Sequence, residues 1–401
     1  MTDRYDVIVA GAGPVGLIAA LKLARAGVKV LVVDKLPSVE TAPRAVGYQW
    51  PSPLVFEDVG ILDDALEAGV KKTDMAFMRY ADGRVDKITL KCLEVGEGQQ
   101  QPYDIALGQD VLANIAVRHL EERPNAEFRW NSRVSAVNQD QDGVRVTVET
   151  SDGREEFRGA WLVGADGSHS TVRKLLDLPF EGHTWPDRFV ATNAYYDFDA
   201  EGYAPSVFVR DAVNWAFIIK LDNNGLWRIT YGEDSSLPVA GVHERMDAHY
   251  RALLPNPDRP WTLQSINSYQ VHERCASTFR VGRILLAGDA AHVNNPSGGF
   301  GLLGGIYDAN ALAVSLIAVL EGTRNERVLD LYAEERRMIF LQKTSPQATQ
   351  YKNSMMEPES IKRFDAFVSK AAADPHLMRV LVSPPQNLVG TFPLGPGARL
   401  D

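Results

Sequence analysis

The chain contains 401 residues, of which 45% are hydrophobic and 23% are charged, a composition typical of a globular protein with two to three domains. Its formal net charge of -10 argues against a general affinity for nucleic acid or for anionic membranes. The two cysteines and eight histidines form no cluster, so we expect neither a disulfide framework nor a metal site, and we expect a reducing, cytoplasmic location. We also expect no signal peptide and no membrane span, because no apolar run reaches the ~18 residues that a span needs.

The N-terminal stretch predicts a strand, a glycine turn, a helix and a second strand that ends in an acid. The apolar run 5–10 predicts a buried strand, and a glycine-rich turn at 11–16 follows it directly. Proline just inside its start and glycine just past its end favour a helix at 14–26. The run 29–33 predicts a second strand, which Asp34 follows.

This order of elements is typical of a dinucleotide-binding unit. Gly11 permits a sharp turn, Gly13 lets a pyrophosphate approach the backbone, and Gly16 lets the helix lie close to the strand. The N–H groups at the start of the helix favour phosphates. Asp34 stands near the expected spacing of ~20 residues for an acid that binds ribose hydroxyls. The motif alone does not distinguish NAD from FAD.

The next part of the chain predicts alternating helices and strands. In chain order we expect a loop at 37–53, a helix at 54–68, strands within 75–93 that turn at 82–83, a polar loop at 96–101, a helix at 105–122 and strands within 128–150 that turn at 142–143.

A second strand that ends in glycine and an acid lies at 161–167. Ser168 is a candidate cap for a helix at 170–176. From 180 to 279 the chain becomes rich in aromatic and β-branched runs separated by turn residues, which predicts an antiparallel sheet and a second domain.

A third acid-ended strand lies at 284–287 and is followed by Gly288 and Asp289. We expect a glycine-rich loop at 290–305, where a flat ring can lie against bare backbone, and a long helix at 306–320. The last stretch, 345–401, is helical and then rich in proline and glycine, and it carries no functional motif.

Together, and in this order, the glycine turn at 11–16, the stretch 164–173 and Gly288-Asp289 with its glycine loop resemble the single-component FAD-dependent aromatic hydroxylases. The resemblance covers roughly residues 1–345. It implies an α/β protein with a Rossmann-like FAD-binding domain of the p-hydroxybenzoate hydroxylase type and a second, antiparallel β-sheet substrate domain. The implied parts are a discontinuous FAD-binding domain at 1–72, 105–179 and 280–345, a substrate domain at 73–104 and 180–279, and a C-terminal helical segment at 346–401.

The resemblance also implies which residues bind non-covalent FAD. The glycine turn would face the pyrophosphate, Asp34 the ribose and Asp289 the ribityl chain, while Pro296 and the residues after it would line the isoalloxazine. Asp166 and Arg173 match a motif linked to both FAD and NAD(P)H. The complete implied set is Gly11, Gly13, Pro14, Val15, Gly16, Asp34, Lys35, Arg44, Gln109, Val134, Asp166, Gly288, Asp289, Pro296, Gly299, Phe300, Gly301 and Leu302.

Two positions depart from the family pattern. Leu303 stands where the family usually has Asn, and Ala311 stands where it often has Asn. Backbone N–H groups could replace the missing side-chain contact to the edge of the flavin.

The resemblance implies a monooxygenase that hydroxylates an aromatic, phenolic small molecule with NAD(P)H and dioxygen through a flavin hydroperoxide. We expect no nucleic-acid or membrane partner and a monomer or homodimer. The sequence does not identify a catalytic base; the candidates that could reach a substrate pocket are Tyr48, Gln49, Tyr196, Tyr231, His292 and Pro296.

Several alternatives remain open at this point. A flavin-dependent halogenase of the same fold usually carries a Trp-x-Trp-x-Ile-Pro motif, which this sequence lacks. A flavin-dependent dehydrogenase or reductase would act without inserting oxygen, a nicotinamide dehydrogenase would contain no flavin, and a silent flavoprotein would only bind partners.

Aromatic side chains in 180–279 indicate the substrate class. Strand alternation sends about half of them to one face, where they would form a flat apolar slot with a few polar groups. Arg210 and Arg228 are scattered, so the sequence shows no arginine cluster for a multiply charged acid. We therefore expect a mono- or bicyclic phenolic substrate.

Overall fold

The computed structural model describes residues 4–93 and 101–400. Within these residues the chain forms two eight-stranded sheets and one three-stranded sheet, with helices on their faces and at the C-terminus. The predicted polar loop at 96–101 lies, apart from Gln101, outside the described residues.

The strands, in chain order, are β1 (Arg4–Ala10), β2 (Val30–Val33), β3 (Gly47–Tyr48), β4 (Val70–Lys72), β5 (Asp74–Arg79), β6 (Val85–Thr89), β7 (Asp104–Ala106), β8 (Ala126–Arg129), β9 (Arg133–Gln139), β10 (Val144–Thr150), β11 (Gly153–Gly164), β12 (Phe180–Tyr195), β13 (Ser206–Arg210), β14 (Ala216–Lys220), β15 (Leu226–Asp234), β16 (Thr262–Ala276), β17 (Arg280–Val281), β18 (Ile284–Leu286) and β19 (His292–Val293).

The α-helices, in chain order, are α1 (Pro14–Arg25), α2 (Pro53–Val59), α3 (Leu62–Ala68), α4 (Gln109–Glu121), α5 (Thr171–Leu175), α6 (Val242–Leu253), α7 (Phe300–Leu320), α8 (Arg327–Ile339), α9 (Ser345–Met356), α10 (Pro358–Ala371) and α11 (Pro375–Val382).

The first sheet contains β1, which the glycine turn follows, and the three acid-ended strands β2, β11 and β18. Its order is β17-β18-β11-β1-β2-β8, with β9 and β10 added through β11. Strand β1 pairs in parallel with both β11 and β2, and β18 pairs in parallel with β11. Ala10, Gly164 and Leu286 are in register, so the three neighbouring strands β1, β11 and β18 end together at one edge of the sheet. Ligands of open parallel sheets bind at such carboxyl ends.

The second sheet has the order β19-β16-β12-β15-β14-β13-β5-β6. It is mainly antiparallel, as predicted, but β13 pairs in parallel with β5, and the region also contains the unpredicted helix α6. Side chains alternate across it: Trp227, Ile229 and Tyr231 of β15 pack toward α6, whereas Arg228 of the same strand reaches the carbonyl of Arg44 on the opposite face. The face opposite α6 is therefore the one that meets the first sheet's loops.

A small third sheet, in the order β3-β7-β4, lies between these two. Its antiparallel pairing sets Lys72 directly opposite Asp104. The helix predicted at 105–122 begins later than expected, because residues 104–106 form β7 and α4 begins at Gln109 with Gly108 as its N-cap.

Three further predicted boundaries are wrong. The single helix expected at 54–68 is two helices, because Gly60 ends α2 with a left-handed φ of 77°. The cap of α5 is Ser170, whose hydroxyl accepts the N–H of Arg173, and not Ser168. The glycine loop is shorter than expected, because α7 begins at Phe300 and not at 306.

Helix α7 is largely buried in the hydrophobic core that it shares with the first sheet. The segment Ser297–Leu320 is long and apolar enough by composition to cross a membrane, with a mean hydropathy of 1.7, so the expectation that no apolar run reaches this length was too strict. The apolar stretch of this segment is 89% buried inside the protein, where it packs against α1 and α8. Burial in the core accounts for its apolar character.

Candidate cofactor and substrate site

The glycine turn after β1 fits closely against the end of β11. Gly11 has a φ of 109°, and a Cβ atom there would lie 2.3 Å from the carbonyl oxygen of Ala165. A Cβ atom at Gly16 would lie 2.1 Å from the carbonyl oxygen of Gly11. Only glycine permits this packing, which aims the start of α1 at the edge where the three strands end.

The start of α1 is open, in contrast to the turn that leads to it. A Cβ atom at Gly13 would meet nothing within 4 Å. Gly13 is the N-cap, so no side chain caps the helix, and the first turn contains no acidic residue. The N–H groups of Val15 and Gly16 therefore point into open space at the positive end of the helix, which is the chemistry that a pyrophosphate requires.

Asp34 supports this turn from the neighbouring strand. Its Oδ2 accepts the N–H of Ala12 at 2.7 Å and its Oδ1 accepts the N–H of Leu36 at 2.8 Å. Each carboxylate oxygen keeps a second lone pair, which a ribose hydroxyl can occupy.

The turn at Gly288 and Asp289 is fixed by a buried ionic cluster. Gly288 has a φ of 59°, and its N–H donates to Asp308 Oδ2 at 3.0 Å. The same carboxylate lies 2.7 Å from His292 Nε2 and accepts Arg336 Nε at 2.7 Å. Burial opposes the ionisation of Asp308, but the charges and hydrogen bonds of His292 and Arg336 hold its pKa at about 2. Asp308 is thus an ionised anchor behind the turn.

Asp289 itself is exposed, yet it stands in a recess of the protein. Desolvation raises the pKa of its carboxyl group, and the nearby His292 and Arg44 oppose that rise. An acid that solvent reaches and that protein atoms still surround lies in a cleft, not on a flat surface. This placement suits an acceptor for hydroxyl groups of a bound ligand.

Asp166 and Arg173 have structural partners in this cleft wall. Asp166 accepts the hydroxyl of Ser170 at 2.5 Å and the N–H of Thr171 at 2.6 Å, so it holds the start of α5. Arg173 is buried, lies over the ring of Phe180, and donates to the carbonyl of Ala290 at 2.8 Å. Arg173 therefore ties α5 to the residue after Asp289.

The glycine loop leads into α7 with two left-handed residues. Gly298 has a φ of 80° and Gly299, the N-cap of α7, has a φ of 73°. Gln49 Nε2 donates to the carbonyl of Gly298 at 2.7 Å. No side chain caps α7, so the N–H groups of Gly301 and Leu302 lack intrahelical acceptors. Phe300 points inward and is buried, so only its backbone can face a ligand.

Among the described residues, several buried polar atoms beside this loop have no hydrogen-bond partner. They are the Asn294 amide atoms, the Ser297 hydroxyl and the Tyr48 hydroxyl. Buried polar groups are normally satisfied, and these atoms are donors and acceptors that a polar ligand beside the loop could satisfy.

The remaining candidates from the family resemblance lie on several different elements. Pro14 and Val15 form the first turn of α1, Gln109 begins α4 and donates its N–H to the carbonyl of Ala45 at 3.2 Å, and Arg44 and Lys35 are exposed. Val134 is buried in the hydrophobic core on β9. Pro296 is the N-cap of the short 3-10 turn before α7.

A narrow cavity begins at Gln49 and Gly298 and extends between the small sheet, the edge of the second sheet and the C-terminal helices. Its walls are mainly apolar, and its charged members are Lys72 and Asp104. The residues that line it are Gln49, Trp50, Lys72, Met75, Phe77, Ile88, Leu90, Leu93, Asp104, Phe208, Gly298, Tyr351, Leu381, Val382, Pro385 and Gln386.

The structure brings only one of the catalytic candidates, Gln49, to this cavity. Tyr196 and Tyr231 pack toward α6, on the other face of the second sheet. His292 is buried behind the Gly288 turn, between Phe279 and Phe340. These three side chains are therefore not placed to touch a ligand in the cavity.

Tyr48 packs on Phe56 at a centroid distance of 5.1 Å, and burial raises the pKa of its hydroxyl. It adjoins the loop but does not line the cavity. Pro296 likewise shapes the loop without entering the cavity wall.

Lys72, Asp104 and Tyr351 also line the cavity and were not among the residues predicted from the sequence. Asp104 interrupts an apolar run, and a lone acid in such a run is the signal that could have identified it. Lys72 resembled a surface residue because another lysine precedes it. No motif in a single stretch of sequence connects these residues, because they lie on two different strands and on α9.

The arrangement fits a bound dinucleotide that carries a flavin ring. One cleft is surrounded by the uncapped starts of α1 and α7, each with an acid beside it. The unpartnered polar atoms described above border the same cleft. The cleft adjoins an apolar cavity.

Comparisons with known proteins agree with this geometry. The family model described as FAD binding domain matches residues 4–345. Para-nitrophenol 4-monooxygenase of a Pseudomonas species is 44% identical over 386 residues, which cover 94% of each chain. The 6-hydroxy-3-succinoylpyridine 3-monooxygenase of Pseudomonas putida is 39% identical over 350 residues, covering 87% of this chain and 88% of that protein. A crystal structure of p-nitrophenol 4-monooxygenase from Pseudomonas putida superposes with a TM-score of 0.92 at 40% identity, covering 97% of this chain and 99% of that one. This superposition confirms the predicted fold class.

Proposed function

The chain belongs to the FAD binding domain family of aromatic-ring monooxygenases, and from that premise we propose that its substrate is a small phenol with one acidic group. The predicted family, the FAD cofactor and the monooxygenase activity are confirmed by these relatives. None of the relatives described above favours a dehydrogenase or a halogenase. NAD(P)H as the electron donor is part of the proposal.

FAD, when bound and reduced, supplies the chemistry that activates dioxygen. Within this chain, the start of α1 would hold the pyrophosphate, Asp34 the ribose and Asp289 the ribityl hydroxyls. The backbone of the loop from Pro296 to Leu302 would face the ring. The remaining work of the protein is to exclude water and to orient the substrate.

The observation that carries the proposal is the contact between the glycine loop and the apolar cavity. The carbonyl of Gly298 is held by Gln49 Nε2 at 2.7 Å, and both residues line the cavity mouth. A flat ring in the cavity would therefore lie next to a cofactor ring held by the loop. Met75, Phe77 and Phe208 supply the dry walls that such a reaction needs.

The charge of the cavity limits the substrate. Lys72 is the one cation among the described residues that line it, and Asp104 is the one acid. A single ionisable group on the substrate fits this balance, whereas a dicarboxylate would leave a charge unpaired in a buried place. The names of two relatives describe, for those proteins, a nitrophenol and a hydroxypyridine that carries a succinoyl group, and both compounds are aromatic rings with a hydroxyl group.

We further propose a cytoplasmic location. Cys275, on β16, is a free and buried thiol, which suits a reducing compartment.

A panel of compounds tests the proposed substrate class. NAD(P)H oxidation by the FAD-loaded protein should rise with 4-nitrophenol, simple phenols and hydroxypyridines, and it should not rise with aliphatic ketones or with phthalate-type diacids. Coupled turnover of ketones alone would overturn the proposal. Product formation without dioxygen would do the same.

A further inference from the structure

We propose that Lys72 and Asp104 form the subsite that receives the hydroxyl group of the phenol, and that Asp104 accepts its proton while Lys72 stabilises the phenolate. The inference rests on the proposed function, because it places a phenol in the apolar cavity. It assigns the base that the sequence did not identify.

The small sheet creates this pair. Strands β4 and β7 run antiparallel, so Lys72 and Asp104 are direct cross-strand neighbours, and their side chains share one face. The two side chains are only 6% and 5% exposed, respectively. Both line the cavity that starts at Gly298.

The pair is held in place from behind. Lys72 Nζ donates to the Ser206 hydroxyl at 2.6 Å, and Asp104 Oδ1 accepts the backbone N–H of Trp50 at 3.0 Å. These contacts come from β13 and from the loop after β3. They fix the positions of the two charged groups without using all of their hydrogen-bonding capacity.

A gap separates the two charges. Lys72 Nζ lies 4.0 Å from Asp104 Oδ2, which is longer than a direct hydrogen bond of about 2.7–3.2 Å. A hydroxyl oxygen that enters from the cavity can accept from the ammonium and donate to the carboxylate at the same time. Within the part of the chain that the structure describes, no hydrogen bond to Asp104 Oδ2 competes for this position.

A second buried lysine–aspartate pair shows the contrast. Lys22 and Asp58 are 6% and 8% exposed, close to the values for Lys72 and Asp104, but their charged atoms are in direct contact at 2.6 Å. A buried ion pair that serves only to neutralise its two charges is expected to make such direct contact. Two buried charges that do not touch leave the cost of their desolvation uncompensated. The open pair in the cavity is therefore arranged for a third partner.

The surroundings favour proton transfer to Asp104. Burial raises the pKa of its carboxyl group, and Lys72 opposes this rise. Burial lowers the pKa of Lys72, and Asp104 opposes that shift. The negative charge of Asp104 also acts on the hydroxyl groups of Tyr351 on α9 and Tyr307 on α7. Burial, together with this charge, raises the pKa of Tyr351 to about 12. A carboxylate with a raised pKa beside an ammonium is a better base for a phenol than a solvated one.

The step is balanced within the site. The O–H bond of the phenol breaks, and its proton forms a new O–H bond on Asp104 Oδ2, so the carboxylate becomes neutral. The negative charge moves to the phenolate oxygen, next to the ammonium of Lys72. The ring gains electron density ortho and para to this oxygen, which is what an attack by electrophilic oxygen on an aromatic carbon requires.

The first experiment uses the unmodified, FAD-loaded protein and 4-nitrophenol, whose phenolate absorbs at a longer wavelength than the neutral phenol. We expect binding to produce the phenolate band at a pH where the free compound is protonated. The methyl ether 4-nitroanisole, which cannot donate a proton, should bind about 10- to 100-fold more weakly, as expected for the loss of a hydrogen bond to a charged group. Binding of the neutral phenol without the band, or equal binding of the ether, would overturn the proposal.

The second experiment uses Asp104→Asn and Lys72→Met, which keep the size of each side chain. We expect Asp104→Asn to retain FAD and to lose the phenolate band, and Lys72→Met to weaken 4-nitrophenol binding about 10- to 100-fold. The matched controls Asp58→Asn and Lys22→Met remove equally buried charges elsewhere. They should keep both the band and the affinity, whatever they do to stability.

The outcomes separate this inference from the proposed function. If the unmodified protein hydroxylates phenols and the two cavity variants show unchanged spectra and turnover, only the Lys72–Asp104 assignment fails. If the unmodified protein neither binds nor hydroxylates any phenol, both fail. Should a cavity variant not fold, the comparison of 4-nitrophenol with 4-nitroanisole on the unmodified protein decides by itself.

Discussion

The Asp308 cluster makes the strongest prediction about the cofactor turn. Asp308 is fully buried and joins three partners, the N–H of Gly288 at 3.0 Å, His292 at 2.7 Å and Arg336 at 2.7 Å. The change Asp308→Asn keeps the shape of the side chain but removes its charge. Arg336 then stays buried without a counter-ion, and Gly288 loses part of its acceptor.

The expected size of the effect follows from these contacts. Removing one partner of a buried ion pair costs about 3–5 kcal/mol of folding free energy. We expect a loss of folding free energy near the lower end of this range, because the asparagine oxygen can still accept one hydrogen bond. The weaker hold on Gly288 should also reduce FAD affinity by about tenfold, which is the worth of one ordinary hydrogen bond.

Two measurements check this prediction. Urea unfolding of the apoprotein reports the stability, and flavin fluorescence titration reports the FAD affinity. The matched control is Asp365→Asn, which removes the partner of the buried Arg210 at 2.7 Å, a pair between α10 and β13 that makes no contact with Gly288. The control should lose stability and keep its FAD affinity. An Asp308→Asn variant with unchanged stability and FAD affinity, or a control that loses FAD equally, would refute the reasoning.

Three further predictions concern the cofactor and the loop. Asp289→Ala should weaken FAD binding by about 10- to 100-fold, since it removes a charged acceptor from the cleft; unchanged affinity in a fluorescence titration would exclude a contact with the ligand. Gly299→Val should lower FAD content or uncouple NAD(P)H oxidation from product, because residue 299 has a φ of 73° and its Cβ would lie 3.2 Å from Gln49 Nε2; normal content with normal coupling would remove the loop from the reaction. The purified protein should be yellow and release one FAD on denaturation, and a colourless protein that binds NAD instead would contradict the assignment of the glycine turn.

The part of the fold that the sequence predicted well is local. The unit from the first strand to Asp34 follows from hydrophobic runs, glycines and an acid that lie within one short stretch, and the structure has each of its elements. The face alternation in the second sheet also followed from strand geometry. It separates Tyr231, which faces α6, from Arg228, which faces the Arg44 loop.

The errors arose where a single residue or a distant contact decides the structure. Gly60 adopts a left-handed conformation and breaks a helix that looks continuous by periodicity. Residue 105 joins a strand because it pairs with β3 and β4, which lie far away in the sequence. Helix α7 starts earlier than expected because buried contacts of Phe300 and Leu303 stabilise it despite the glycines.

The site was predicted on its cofactor side and missed on its substrate side for the same reason. Glycine turns and acids at strand ends are visible in sequence. The pairing of Lys72 with Asp104 depends on sheet register, and neither residue belongs to a recognisable motif.

The most direct test of the central claim is a turnover measurement under labelled dioxygen. The FAD-loaded protein would be supplied with NAD(P)H, a phenol that stimulates NAD(P)H oxidation, and ¹⁸O₂, and the aromatic product would be analysed by mass spectrometry. A monooxygenase acting on phenols predicts one ¹⁸O atom in the product for each NAD(P)H consumed. An aromatic product without the label, or NAD(P)H oxidation that yields only hydrogen peroxide with every phenol, would contradict it.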